Sequence, residues 1–207
     1  MRKAFIDVSV DVNSVKDLFN KLEPKKQNWA LKKAQNEAAK EARKELARRA
    51  EEIYTVKNAG FNREMKIRTR SGKFPAAVIY SSGEPLPLRR FKYSKGKKVT
   101  KVQVLKQGGM KTLAYPGSGI KGFVNNIARK GQVRKRKTSK GNEGTTVRHL
   151  AVAQRTGRER LEIREKFSNS IPIMLGSPKY VYGVVEQHIG NTLTEYLEKF
   201  IRQALGE

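Results

Sequence analysis

The amino-acid sequence predicts an α+β fold, with a mostly antiparallel β-sheet packed against one long helix in the N-terminal half and another at the C-terminus. Three observations support this prediction. Residues 25–54 contain no Gly or Pro, and their apolar residues recur at steps of three and four. Short segments between residues 61 and 155 alternate apolar and polar residues, as strands do. A second helical pattern runs from Ser177 to about Ala204.

The elements follow in chain order from these patterns. Residues 4–10 alternate as a short strand, and Pro24 suits the first turn of the long helix. The helix that follows carries a face of mostly small residues: Leu31, Ala34, Ala38, Ala42, Leu46, Ala50 and Ile53. A face of this kind accepts a close neighbour. We expect that neighbour to be the C-terminal helix, whose own face is built from large residues such as Val185, Leu193 and Ile201, or the sheet.

Sequence patterns in the middle of the chain predict strands and connectors. We predict strands at 75–80, 99–105 and 145–155, and an apolar loop at 168–176. Two prolines within residues 85–87 make the segment that ends at Phe91 an extended connector or sheet edge. Residues 129–144 have almost no apolar side chains, so we predict a mobile basic loop there, within a single domain that spans residues 1–207.

The net charge of +26 indicates a polyanionic partner. The charge is concentrated, because residues 86–148 hold 18 Lys and Arg against one acid, Glu143, which is a net +17. The long helix differs, since its nine basic residues face five glutamates at helical spacings. The polyanion signal therefore belongs to the middle of the chain.

Composition argues against several other classes of protein. The chain has no Cys, and its two histidines, His149 and His188, lack a ligand pattern around them, so we predict no metal site and no cofactor. It has no Walker loop and no Ser-His-Asp pattern, and we predict that it is not an enzyme. It also has no apolar run of membrane-spanning length and no signal-peptide pattern, so we expect a soluble intracellular protein without membrane contact.

Several short motifs, taken in chain order, resemble those of the bacteriophage minor tail protein Z family, the tail-completion proteins of long-tailed phages and prophages. An Ala-rich basic helix ends in YTVK at 54–57, and LPLRRF follows at 86–91. A segment with Gly and Phe, GIKGF, lies at 119–123, TGRERLEI occupies 156–163, and SIPIML occupies 170–175 before the C-terminal helix. Glu162 stands where the family tends to have Pro, and the basic stretch before Gly144 is longer than usual.

The resemblance implies a non-enzymatic structural protein of the virion tail, present in the bacterial host cytoplasm during assembly. Such a protein completes the head-proximal end of the tail tube and supports head–tail joining around the DNA channel. The implied partners are tail-tube and head–tail connector proteins, with a homo-oligomeric ring formed by the protein itself. A free-standing, sequence-independent nucleic-acid-binding protein is the alternative that the charge alone suggests.

Two sets of residues are candidates for contacts. The first is a basic cluster that we assign to non-specific DNA contact, with a solvated charge run as the alternative: Arg134, Lys135, Arg136, Lys137 and Lys140. The second is apolar and lies in two proline-containing connectors, where we expect subunit or partner contacts, with local packing as the alternative: Leu86, Pro87, Leu88, Phe91, Ile171, Pro172 and Ile173.

Overall fold

The computed structural model describes residues 2–7, 16–58, 60–70, 76–96, 100–113, 120–138, 141–155 and 163–206, and at 2–7, 128–138 and 141–148 it describes the backbone alone. These residues form an α+β fold with antiparallel sheets and two long helices, which confirms the predicted fold class. Within the same ranges, no helix is both long enough and apolar enough to span a membrane.

The chain, which we predicted as one domain, divides into two compact units. The first comprises Met1–Tyr54, Ala59–Pro85 and Asn169–Glu207, and the second comprises Thr55–Asn58 and Leu86–Ser168. Each unit is assembled from stretches that are separated in sequence. A division of this kind leaves no linker for a sequence pattern to reveal.

The first unit holds the α-helices of the described chain and one sheet. Its elements are β1 (Arg2–Asp7), α1 (Lys16–Asn20), α2 (Pro24–Ile53), α3 (Phe61–Glu64), β2 (Met65–Arg70), β3 (Ala76–Gly83), α4 (Ile171–Leu175) and α5 (Tyr182–Leu205). The strands form an antiparallel sheet in the order β1-β3-β2, with Ile79 of β3 between Ile6 and Ile67. Helix α2 packs against β3 and against α5, so it is the central element of this unit.

The contact between α2 and α5 joins small residues to large ones, as the sequence predicts. One cluster of buried side chains comprises Leu22, Ala30, Ala34, Ala38, Leu193, Leu197 and Ile201. The alanines of α2 have no side chain beyond Cβ, and the leucines and isoleucine of α5 fill the space that this leaves. Leu31, which we placed on the buried face, is only partly buried. On α5, Val184 is 51% exposed, whereas the adjacent Val185 is buried.

Local chemistry sets the two ends of α2. Pro24 occupies the first turn, where its missing N–H costs no hydrogen bond. At the other end the Tyr54 N–H donates to the Ala50 carbonyl at 2.9 Å. The backbone then takes positive φ at Asn58 (49°) and Gly60 (57°), the residue types that adopt this conformation most readily.

Residues 168–176, predicted as an apolar loop, contain α4 instead. Pro172 lies in the first turn of this helix, where proline is compatible with helical geometry. Gly183 has a packing role near the start of α5, because a Cβ atom built on it would lie 2.2 Å from the Pro178 carbonyl oxygen. The chain before α5 therefore approaches the helix more closely than any other residue at position 183 would permit.

The second unit is built from strands and two short 3₁₀ turns, Leu88–Arg90 and Lys106–Gly108. Its strands are β4 (Lys92–Lys95), β5 (Thr100–Gln103), β6 (Lys111–Thr112), β7 (Phe123–Thr138), β8 (Gly141–Arg155) and β9 (Ile163–Glu165). They form two antiparallel sheets, in the orders β4-β5-β6 and β7-β8-β9. The mostly antiparallel pairing that we predicted is therefore distributed over three sheets among the residues that the structure describes.

Candidate nucleic-acid interface

Within the predicted basic loop at 129–144, the described residues 129–138 and 141–144 belong to the strands β7 and β8. The backbone register runs from Phe123 opposite Ala153 to Thr138 opposite Gly141. We inferred a loop because the segment is almost devoid of apolar residues. Backbone hydrogen bonds between the strands hold the pairing of a two-stranded ribbon, however, so a polar composition does not exclude it.

A bulge divides this hairpin into two parts. Ala128 pairs with Arg148, and pairing resumes with Val133 opposite Thr146, so four residues of β7 (129–132) face one residue of β8 (Val147). Extra residues on one strand bend it and increase its twist. The bulge therefore separates the register of the outer part of the hairpin from that of its base.

Four of the five predicted DNA-contacting residues lie on one strand beyond the bulge. Arg134, Lys135, Arg136 and Lys137 are consecutive in β7 and pair with residues 145 to 142 of β8. Lys140 lies outside the described residues. We name residues 128–148 the basic ribbon. It contains eight Lys and Arg and the single acid Glu143, a net charge of +7.

The basic ribbon has two strands along its length, whereas its base is part of a wider sheet. Strand β9 pairs with β8 only at residues 153–155. A two-stranded ribbon alone is marginally stable in water, and clustered like charges repel one another. An anionic surface that neutralises these charges would stabilise the ribbon.

The base of the hairpin is buried and well bonded. Ala151, Val152 and Ala153 of β8 are each 0% exposed. Gln154, 2% exposed, donates its side-chain amide to the Ile120 carbonyl oxygen at 2.7 Å. The Lys166 N–H donates to the Val152 carbonyl at 2.9 Å. Packing and hydrogen bonds therefore fix the base from which the basic ribbon extends.

A charged cluster next to this base was missed in the sequence. The His149 Nε2 atom lies 2.9 Å from Glu165 Oε2, and the Arg89 Nε atom lies 3.8 Å from Glu165 Oε1. The cluster links β8, β9 and the 3₁₀ turn at Leu88–Arg90. We had assigned no partner to either histidine, because 16 residues separate His149 from Glu165 and no local pattern joins them.

Three atoms of the cluster lack a hydrogen bond within the described part of the chain. His149 Nδ1, Arg89 Nε and Glu165 Oε1 are buried without a hydrogen-bond partner among the described residues. Across the described ranges, no group of three or more His, Cys, Asp or Glu side chains lies close enough to hold a metal ion.

The structure buries four of the seven predicted contact residues in the two connectors. Leu88 is 6% exposed and Phe91 is 0% exposed, and Ile171 and Pro172 are buried as well. Local packing, the alternative that we kept open, accounts for these four. The other three, Leu86, Pro87 and Ile173, are partly exposed.

Comparisons of this chain with protein-family models, with curated proteins and with solved structures found no match.

Proposed function

We propose that this protein is a non-enzymatic structural component of a phage tail, which completes the head-proximal end of the tail tube and supports head–tail joining around the DNA channel. The observation that carries the proposal is the basic ribbon, considered together with the motifs that resemble the minor tail protein Z family. In this role the protein forms a homo-oligomeric ring in the virion, next to tail-tube and connector proteins.

The basic ribbon suits contact with DNA that passes through a channel. The paired part of β7 beyond the bulge, residues 133–138, extends about 20 Å at roughly 3.3 Å per residue. Cations that meet phosphates release condensed counterions, which gives affinity without reading sequence. A channel must accept every sequence of the genome, and a contact made to phosphates meets that requirement.

We assign the subunit contact to a surface beside the first connector. Pro87 forms an isolated antiparallel bridge with Phe167, and the Ser168 N–H donates to the Leu86 carbonyl at 2.8 Å. The Phe167 side chain is 54% exposed, which is unusual for a phenylalanine. This ring lies beside the partly exposed Leu86 and Pro87, and together they form the apolar edge that we place in the ring interface.

The assembly role is tested by the oligomeric state of the purified protein at low and high salt. Apolar interfaces persist at high salt, whereas contacts between charges are screened. We expect Phe167→Ser to reduce self-association, or binding to the tail-tube protein, at both salt concentrations. Val184→Ser, at a residue that is 51% exposed in the first unit, is the matched control and should leave assembly unchanged. Equal effects of the two substitutions would contradict the assigned interface.

The second candidate function is a free-standing nucleic-acid-binding protein, which the net charge of +17 over residues 86–148 favours. The two functions differ in what persists at high salt. A free-standing binder stays monomeric and binds duplex DNA with nanomolar affinity that falls steeply with salt. If the protein behaves in this way and never assembles, the tail-completion role is refuted.

The DNA contact of the basic ribbon has its own test, which is the salt dependence of duplex binding. Four glutamines replace Arg134, Lys135, Arg136 and Lys137 in the test variant. We expect the slope of log K against log salt to fall by up to about 3.6, since each neutralised phosphate contributes about 0.9. The control has the same loss of charge at four exposed lysines of α2: Lys25, Lys26, Lys32 and Lys33. An equal loss in the control would show that net charge, not the ribbon, sets the affinity.

A further inference from the structure

A second concentration of positive charge lies in the first unit, far in sequence from the basic ribbon. A groove of about 800 Å³ opens between α2, α3, β2 and β3. Three cations line it, Arg43 from α2, Arg63 from α3 and Lys66 from β2, and no acidic side chain does. Asn62 and Tyr80 supply further polar groups. We name this feature the cationic groove.

Arg43 differs from the other cations in the second half of α2, because each of those has an acidic partner on the same helix. Lys40 pairs with Glu37 at 2.6 Å, Lys44 with Glu41 at 3.0 Å, Arg48 with Glu45 and Glu52, and Arg49 with Glu52 at 3.3 Å. The residues three and four positions from Arg43 are Ala39, Lys40, Leu46 and Ala47. None of them is acidic, so the sequence provides Arg43 with no partner at helical spacing.

The side chain of Arg43 is also partly buried. Its Nε atom is buried and has no hydrogen-bond partner among the described residues. A buried guanidinium N–H without an acceptor is costly, and an acceptor within the groove would remove that cost. Arg63 and Lys66 are exposed at the same groove, where incoming ligand can reach them.

A fourth cation, Arg68, stacks on a residue that lines the groove. The Arg68 guanidinium carbon lies 4.3 Å from the centre of the Tyr80 ring, which is cation–π geometry. This stacking orients Arg68 beside a ring that itself lines the groove. The groove thus combines positive charge with an aromatic side chain, which are the two features that single-stranded nucleic acid meets in its binding sites.

We propose that the cationic groove binds the phosphates of a nucleic-acid backbone. A single carboxylate carries one negative charge, which is fewer than the three positive charges in the groove. Consecutive phosphates carry one charge each and several acceptor oxygens, so they match the charges and donors of the three cations. The planar fork of an arginine is suited to two phosphate oxygens at once, and a lysine adds a compact charge. The residues of the cationic groove are not among those that support the proposed tail function. The groove can therefore be tested independently of that function.

The test uses the full chain with the four glutamines of the ribbon variant, so that the ribbon does not mask the groove. A fluorescent single-stranded oligothymidylate serves as the probe, and its anisotropy is followed across a range of salt concentrations. Arg43→Gln should weaken binding by about tenfold, the effect of one charge-assisted hydrogen bond, and lower the salt slope by about 0.7. Arg48→Gln, the same substitution on the same helix at an exposed and paired residue, should change affinity by less than about twofold.

Lys66→Gln is the second variant, since Lys66 is exposed and its replacement leaves the core intact even if Arg43→Gln impairs folding. We expect a loss of affinity in the same direction. Equal affinities of the Arg43, Lys66 and Arg48 variants would overturn the proposal. Two further probes identify the source of the anion. Groove-dependent binding of polyglutamate without oligothymidylate binding would overturn the proposal in favour of an acidic peptide. If the groove binds inorganic phosphate but not oligothymidylate, the proposal that its ligand is a nucleic acid would be overturned.

Discussion

Two adjacent valines of α5 allow a matched test of the helix packing. Val185 is 3% exposed, whereas Val184 is 51% exposed. The substitution Val→Ala removes the same two methyl groups at either position and leaves the backbone of the helix unchanged. Any difference between the two variants therefore reports the burial of the side chain.

The expected magnitude follows from burial and helix propensity. Two buried methyl groups contribute about 1.6 kcal/mol at roughly 0.8 kcal/mol each, and the cavity left behind raises the loss to about 2.5 kcal/mol. Alanine has a higher helix propensity than valine, so the substitution raises the free energy of unfolding by about 0.6 kcal/mol at both positions. We expect Val185→Ala to lower the free energy of unfolding by about 2 kcal/mol. Val184→Ala should change it by less than about 0.5 kcal/mol.

Urea denaturation followed by far-UV circular dichroism measures this difference. The described α-helices all belong to the first unit, so the helical signal reports the unit in which both valines lie. The midpoint should move for Val185→Ala, while the dependence of the free energy on urea stays constant. Equal midpoints for the two variants would refute the burial of Val185 and the orientation of α5 in this structure.

Two further predictions concern the first unit. Gly183→Ala should lower the melting temperature, because the new Cβ atom would lie 2.2 Å from the Pro178 carbonyl oxygen. Gly190→Ala, where no atom lies within 4 Å of the new Cβ, should raise the free energy of unfolding by up to about 1 kcal/mol. A gain of stability in both variants would contradict the close approach at position 183. Burial raises the pKa of the Tyr54 hydroxyl above its ordinary value, more than the hydrogen bond to Ser177 lowers it. Because the folded state favours the neutral phenol, the stabilisation is full below about pH 10 and is lost as the pH rises through the folded-state pKa. Tyr54→Phe should therefore lose less stability than the natural sequence between pH 9 and pH 11, as measured by thermal melting, and identical losses would contradict this.

The helices were the most predictable part of the fold. Residues 25–54 were read as one helix, and α2 spans Pro24–Ile53. A periodic face of apolar residues is a local property that survives folding, because it must be buried against something. The strand at 145–155 was also recognised, within β8, from its alternation. The short helix α4 was not recognised. Pro172 is compatible with a helix because it lies in the first turn, and that depends on the residue at which the helix begins.

The candidate sites were predicted less well, for a physical reason. The sequence locates the excess of positive charge, but a polar segment has the same composition whether it forms a loop or an exposed ribbon. The charged cluster at His149 and the cationic groove at Arg43 both join residues that are distant in sequence. Contacts of this kind depend on strand register and helix packing, which no local pattern encodes.

The sequence by itself therefore determined the α+β class, the small-residue face of the first long helix and the large-residue face of the second, and the concentration of charge in the middle of the chain. These properties depend on residue type and spacing alone. Only the tertiary structure decided that residues 133–138 pair with β8, that Leu88 and Phe91 are buried, and that Arg43 lines a groove with Arg63 and Lys66 and with no acidic side chain. Each of these outcomes depends on which distant segment a residue packs against, and the free energy of the whole fold determines that packing.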